Sequence, residues 1–303
     1  MSHPHSHEHG HNHQVKDFNK AFSIGIALNI AYIVVEVIYG VLSNSMALIA
    51  DAGHNLSDVL GLLLAWGASY LAKTAVTSSR TYGLRKSTVL AAFLNALILL
   101  IAVGAISVEA VRKMIYPEPI GGTTMMIVAG IGVVINGLTA VLFMKGREHD
   151  INIKGAFLHM AADAGVSLGV VVAGLLINLT GFYLLDPIIS IVIIVVITWG
   201  TWDLLRDSFN LSMDAVPKEI NLNKVKECLK NLNGVLEVHD LHIWAMSTTE
   251  TALTVHLVIP GETADDKFLS DTCCLLYDKF GIEHSTIQIE KHAHAASCQE
   301  GHV

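Results

Sequence analysis

Six long apolar stretches, at residues 18–42, 45–72, 86–112, 123–145, 152–178 and 182–206, leave this chain little choice of architecture. Crossing the roughly 30 Å hydrocarbon core of a bilayer takes about 20 predominantly apolar residues of helix, and each stretch is at least that long. In lipid every backbone N–H and C=O must be satisfied within the segment itself, which selects the helix. The chain therefore reads as an α-helical membrane protein with six transmembrane helices, in keeping with 52% hydrophobic against 15% charged residues.

Basic residues orient the spans. Lys16 and Lys20 precede the first, Lys73, Arg80, Arg85 and Lys86 lie between the second and third, and Lys145, Arg147 and Lys154 lie between the fourth and fifth. The opposite side has only Arg112 and Lys113, near the end of the third. By the positive-inside rule both termini are cytoplasmic, in an inner or plasma membrane. The polar start MSHPHSHEHGHNH is not a signal peptide, and the first span serves as its own insertion signal. All four cysteines, Cys228, Cys273, Cys274 and Cys298, follow the last span on the reducing side, so no structural disulfide is expected. A net charge of -8 without any basic cluster argues against nucleic acid as a partner.

Polar residues inside these spans need a reason, because a charged side chain at mid-bilayer costs about 2.5–3.5 kcal/mol on insertion scales. Two matching pairs stand out: His54 and Asp58 in ALIADAGHNLSDVLGLLLAWG, and His159 and Asp163 in GAFLHMAADAGVSLGVVVAGLL. Residues four apart share one helix face, so each pair offers an imidazole and a carboxylate to one ion. Each alone could simply hydrogen-bond a neighbouring helix, but two repeats of the spacing point to a shared tetrahedral site, and nitrogen with carboxylate oxygen suits Zn²⁺. Metal binding requires neutral imidazoles, so protons and metal compete there near neutral pH. Asp51, on nearly the same face as His54, is open to three readings: a fifth ligand, a proton acceptor or a vestibule charge. Asn95 and Asn136 read as interhelical hydrogen bonders, Glu36 and Asp186 as lining a water-filled path.

Beyond the spans, residues 207–291 have the pattern of a small α+β domain. A helix over NLNKVKECLKNL, strands EVHDLHIWAM and TALTVHLVIP around the polar turn STTE, a helix over DDKFLSDTCCLLYDKF and a strand STIQIEKH give the order α-β-β-α-β. Strand alternation predicts helices on one sheet face and a free polar face carrying Thr254, His256, Gln288 and Glu290. Residues 1–16, with six histidines, read as a disordered metal-collecting tail. The membrane domain is then 17–206, and 292–303 is a second His/Cys-containing tail.

These motifs resemble the cation diffusion facilitator family, in its zinc-transporting branch of the bacterial cobalt-zinc-cadmium resistance type. The resemblance rests on DAGHNLSD, HMAAD, RTYGLRKSTVLAA, GVLEVHDLHIWAM and HSTIQIE, and covers residues 17 to 291. It implies a ferredoxin-like cytoplasmic domain, a homodimer, and export of Zn²⁺, or Cd²⁺ or Co²⁺, from the cytoplasm in exchange for protons by alternating access. Carried over, His54, Asp58, His159 and Asp163 form the transport site. His239, His256 and Glu290, with His284 as an additional ligand, hold a structural or regulatory Zn²⁺ in the cytoplasmic domain. Metal-binding ends in relatives bring His292, His294 and Cys298 into consideration as a tail site. The resemblance also suggests a charge contact that positions two subunits, between Lys86 and an acid near the end of span six, for which Asp207 is the candidate. The segment KTAVTSSRTYGLRKS lacks the metal ligands that some members carry between spans two and three.

Two other functions compete. A membrane zinc metallohydrolase needs an open coordination position and a general base, whereas this chain lacks HExxH and its four-ligand set looks closed. A membrane-anchored cytoplasmic metal sensor leaves the intramembrane ligands without a purpose.

Overall fold

The structure, a computed structural model, describes residues 15–144, 151–260 and 265–291. The His-rich residues 1–14, and His292, His294 and Cys298, lie outside the described residues. Six helices come first: α1 (Val15–Leu42), α2 (Met46–Ala72), α3 (Ser87–Ile115), α4 (Gly122–Met144), α5 (Ile151–Thr180) and α6 (Leu185–Ser212). Five of them, α2 to α6, are long and apolar enough to cross a membrane, and the described apolar part of α1 is Ala27–Leu42. Large apolar side chains such as Trp66 and Trp199 are more than two-thirds exposed, an outer surface that suits lipid rather than water.

The chain divides into two compact units. The first, residues 1–60 and 98–200, holds α1, α4 and α5 with parts of α2, α3 and α6. Its core is built from Leu48 of α2, Leu99 and Val103 of α3, Met125 and Val128 of α4, Val170 and Ile177 of α5, and Ile193, Ile194 and Ile197 of α6. One polar feature anchors this unit. Asp186, fully buried at the start of α6, accepts hydrogen bonds from Ser45 Oγ (2.5 Å), Met46 N (2.7 Å) and Ala47 N (3.1 Å). These are orphan donors at the N-terminus of α2, where a carboxylate also complements the helix dipole. The sequence reading of Asp186 as a path-lining residue is thus corrected: it is a cap supplied by another helix.

The second unit, residues 61–97 and 201–303, contains the α/β domain: α7 (Leu222–Lys230), β1 (Glu237–Ala245), β2 (Thr251–Val258), α8 (Asp266–Phe280) and β3 (His284–Glu290). The helix ends follow local chemistry. Asn221 caps α7 by accepting from Lys224 N, and Asp265 caps α8 by accepting from Phe268 N. Gly281 closes α8 at φ 66°, the left-handed conformation glycine adopts without strain, with Ile282 N bonded back to Leu276 O. The sheet order is β1-β2-β3, antiparallel between β1 and β2 and parallel between β2 and β3, whose connection runs through α8. Leu253, Val255 and Leu257 pack with Val225 and Leu229 of α7 and Leu276 of α8.

Register creates one irregularity that matters. His239 pairs with His256 but His242 pairs with Thr254, so β1 holds one extra residue there, and Asp240 sits at φ 49°. Such a bulge turns the strand. Three residues apart on a regular strand, His239 and His242 would face opposite sides; the extra residue brings both to the face of Thr254 and His256.

Candidate functional site

Among the described residues, two groups of ligand-type side chains form. The first joins α2 and α5, which run antiparallel, so His54 meets Asp163 and Asp58 meets His159. His54 Nε2 lies 3.3 Å from Asp163 Oδ1 and 3.9 Å from Asp58 Oδ2. His159 Nε2 lies 3.1 Å from Asp58 Oδ2 and 3.6 Å from Asp163 Oδ2. Each imidazole therefore faces both carboxylates, with the rings edge-on at 6.0 Å. Ligands about 2.0–2.1 Å from a tetrahedral zinc ion stand roughly 3.3 Å apart, close to these separations, and the ligand atoms of His54, Asp58 and Asp163 all lie within 4.8 Å of one another, a group that does not take in His159. Accessibility is graded across the cluster: the Asp163 side chain is 3% exposed, Asp58 31% and His159 43%.

One turn further along α2 the structure places Asp51 in a different setting from His54. It is fully buried and accepts from Ser167 Oγ of α5 at 3.0 Å. Glu36, read from sequence as lining a water-filled path, is fully buried too, and accepts from Tyr32 OH (2.9 Å) and Asn55 Nδ2 (3.2 Å). Sequence reasoning gave neither Tyr32 nor Ser167 a role. Their spacing offered a signal: Tyr32 stands four residues before Glu36, and Ser167 four after Asp163.

The second group lies on the sheet of the α/β domain. His239 Nε2 is 3.2 Å from Glu290 Oε2, and His256 Nδ1 is 3.0 Å from Glu290 Oε1. The ligand atoms of all three residues lie within 4.8 Å of one another. Nitrogen and carboxylate oxygen at such spacing fit a zinc ion with one coordination position left over. Glu290 is only 4% exposed, so the polar face expected to remain free is closed at this end. On its outer side Asp240, carried by the bulge, bonds to His242 Nε2 at 2.8 Å and approaches His256 Nε2 at 3.4 Å. The hydrogen bond donated by His242 holds the Asp240 carboxyl below the usual carboxylate range.

His284, the expected additional ligand, is not brought to this group within the chain. It opens β3, six residues or about 20 Å of strand before Glu290, and its ring meets Tyr82 edge-on at 5.6 Å. In the same region Arg85 pairs with Glu250 at 3.1 Å, and Thr248 N donates to Thr88 Oγ1 at 3.0 Å, so the α2–α3 connection is fastened to the β1–β2 turn. Within this chain Lys86 pairs with Asp214, and Asp207 with Lys218 at 2.5 Å. The two members of the expected intersubunit charge contact thus each have another partner in the single chain.

Comparison with known proteins matches residues 23–211 to the family model of the cation efflux transmembrane domain, and residues 217–292 to that of the cation efflux protein cytoplasmic domain. The metal cation efflux system protein CzcD of Cupriavidus metallidurans is 35% identical over 89% of this chain and 86% of its own length. The cadmium, cobalt and zinc/H(+)-K(+) antiporter of Bacillus subtilis is 32% identical, covering 91% and 90%. The zinc transporter ZitB of Escherichia coli is 34% identical, covering 88% and 86%.

Proposed function

The chain belongs to the cation efflux family of metal transporters, and on that premise we propose that it exports Zn²⁺ from the cytoplasm in exchange for protons, around a tetrahedral site of His54, Asp58, His159 and Asp163. It is an integral membrane protein that moves metal cations and is not an enzyme. The observation that supports the finer reading is the crossed geometry of the two pairs, in which each imidazole lies within 3.9 Å of both carboxylates. Two negative charges in an apolar span are offset by one dication, so their desolvation cost becomes metal affinity. Two imidazoles favour Zn²⁺, Cd²⁺ or Co²⁺ over harder ions.

We read α1 as the sixth span, both termini as cytoplasmic, and the membrane as an inner or plasma membrane. In that topology α2 descends toward the cytoplasm and α5 rises from it, so Asp58 and His159 lie on the cytoplasmic side of the cluster. They are also its more exposed side chains, which supports a state open to the cytoplasm. Protons re-entering the site displace the ion, because each imidazole binds either metal or proton. The domain division is 17–206 and 207–291, the latter ferredoxin-like, and the working unit is a homodimer.

Reconstituted protein in vesicles loaded with a pH dye tests the exchange, across a panel of Zn²⁺, Cd²⁺, Co²⁺ and Mn²⁺. Zinc uptake should drive protons the opposite way and exceed manganese uptake at least about tenfold, the margin expected from ligand type. Zinc uptake with no counter-movement of protons would sink the antiport.

For the α/β domain, His239, His256 and Glu290 are the proposed ligands of a resident zinc ion. Zinc would tie β1, β2 and β3 together at this edge. Glu290→Ala should lower the zinc content of the purified full-length protein after equilibrium dialysis by about one ion per chain. An unchanged metal content would remove the site.

A further inference from the structure

We propose that Glu36 and Asp51 form a second proton-binding site, a carboxyl pair that shares one proton and releases it when a divalent ion occupies the neighbouring His54, Asp58, His159 and Asp163 cluster. This rests on the reading of that cluster as the metal site.

Both acids are fully buried, one on α1 and one on α2, and one set of hydroxyls joins them: Tyr32 OH donates to Glu36, Ser167 Oγ donates to Asp51, and both hydroxyls border the same Gly132. Ionised carboxylates only accept, so two of them in one dry cluster are relieved by a proton held between them. Three neutral donors serve three of the four oxygens: Tyr32 OH and Asn55 Nδ2 on Glu36, and Ser167 Oγ on Asp51 Oδ2. The fourth, Asp51 Oδ1, is buried with no donor at all. A shared proton is the group this arrangement lacks.

Among the described residues no Lys or Arg pairs with either acid. α2 and α4 contain no Lys or Arg. The titratable groups that act on the pair are Tyr32 of α1, His54 of α2 and Asp163 of α5. From α4 comes Gly132, where a Cβ would stand 2.1 Å from the Tyr32 hydroxyl and 3.0 Å from Ser167 Oγ. A glycine there admits both donors to the acids, and any side chain would push them away.

The position suits a proton reservoir. In the proposed topology Asp51 lies one turn, about 5 Å, to the outer side of His54, and Ser167 likewise one turn beyond Asp163. A proton from outside therefore meets the pair before it meets the metal ligands. Conversely, a dication one turn away in a low-dielectric surrounding favours the doubly ionised pair and expels its proton, which in an exchange leaves by the cytoplasmic path through which the ion enters.

Zinc-induced infrared difference spectra of the full-length protein in lipid discs test this, because a protonated carboxyl has a C=O stretching band that a carboxylate lacks. In the wild type zinc should remove such a band. In a Glu36→Gln/Asp51→Asn double variant the loss should vanish, with zinc affinity held within about threefold and about one fewer proton released per ion bound, as linkage requires. A persisting band loss and unchanged proton yield in the double variant would overturn the proposal, as would a loss of zinc binding beyond tenfold, which would make the pair part of the metal site. Ser167→Ala, which keeps both acids, should retain the band loss at a shifted frequency; an unshifted band would also count against it. Asp163→Asn separates the two readings: it should weaken zinc binding on the order of 100-fold and move the spectral change to correspondingly higher zinc, and if it leaves both intact the metal site is wrong.

Discussion

Asp163→Asn is expected to reduce metal affinity on the order of 100-fold or more, about 3 kcal/mol at 1.4 kcal/mol per tenfold, and to bring zinc transport to background. Asp163 is the most enclosed member of the cluster, and its two oxygens face different imidazoles, Oδ1 toward His54 and Oδ2 toward His159. Asparagine keeps the shape and one acceptor, but it removes the charge and turns the other oxygen into a donor. With the side chain 3% exposed, water has little room to replace the lost ligand. Asp58, ten times more exposed, gives the contrast: water can enter there, so Asp58→Asn should cost less, on the order of tenfold, about 1.4 kcal/mol. Radiometal uptake into vesicles, with direct binding measured on the same variants, reads both. An Asp163→Asn protein that binds zinc like the wild type would remove the carboxylate from the site.

The other large effect is structural. Asp186→Ala leaves Ser45 Oγ, Met46 N and Ala47 N without their acceptor in a fully buried place. Unsatisfied buried groups cost about 1–3 kcal/mol each, and losing an anion from a helix N-terminus removes a further 0.3–1 kcal/mol or so. A total near 3–6 kcal/mol is expected, lowered somewhat by relaxation. Ser45 itself accepts from Leu48 N at 3.3 Å, so the first turn of α2 loosens as a whole. That turn leads into Asp51, His54 and Asp58, and zinc transport should fall together with thermal stability in detergent. Asp186→Asn retains an acceptor and should lose less. A melting temperature unchanged in Asp186→Ala would show that the cap contributes nothing.

Apolar length and strand alternation are local properties, and elements that depend on them were legible. The stretch 45–72 is α2 at Met46–Ala72, and the order α-β-β-α-β in the last part of the chain is observed. The pairing of His54 with Asp163 and of Asp58 with His159 was less direct: spacing put each pair on one face, and only the antiparallel run of α2 and α5 crosses them. Sequence could not assign Asp186 or Glu36, since both are acids in apolar surroundings whose meaning depends on donors far away in the chain. It also set His284 beside His239 and His256, where the strand length keeps it away.

What the sequence by itself determined is the membrane-spanning class, the α/β appendage and the residue types of the candidate metal ligands, because burial of apolar length and helical or strand periodicity act within a few residues. What only the tertiary structure decided is which groups meet each buried acid: the start of α2 at Asp186, Tyr32 and Asn55 at Glu36, His239 and His256 at Glu290 across a bulge. Desolvated charge is governed by groups within a few ångströms in space, and those neighbours are set by packing between segments up to 141 residues apart.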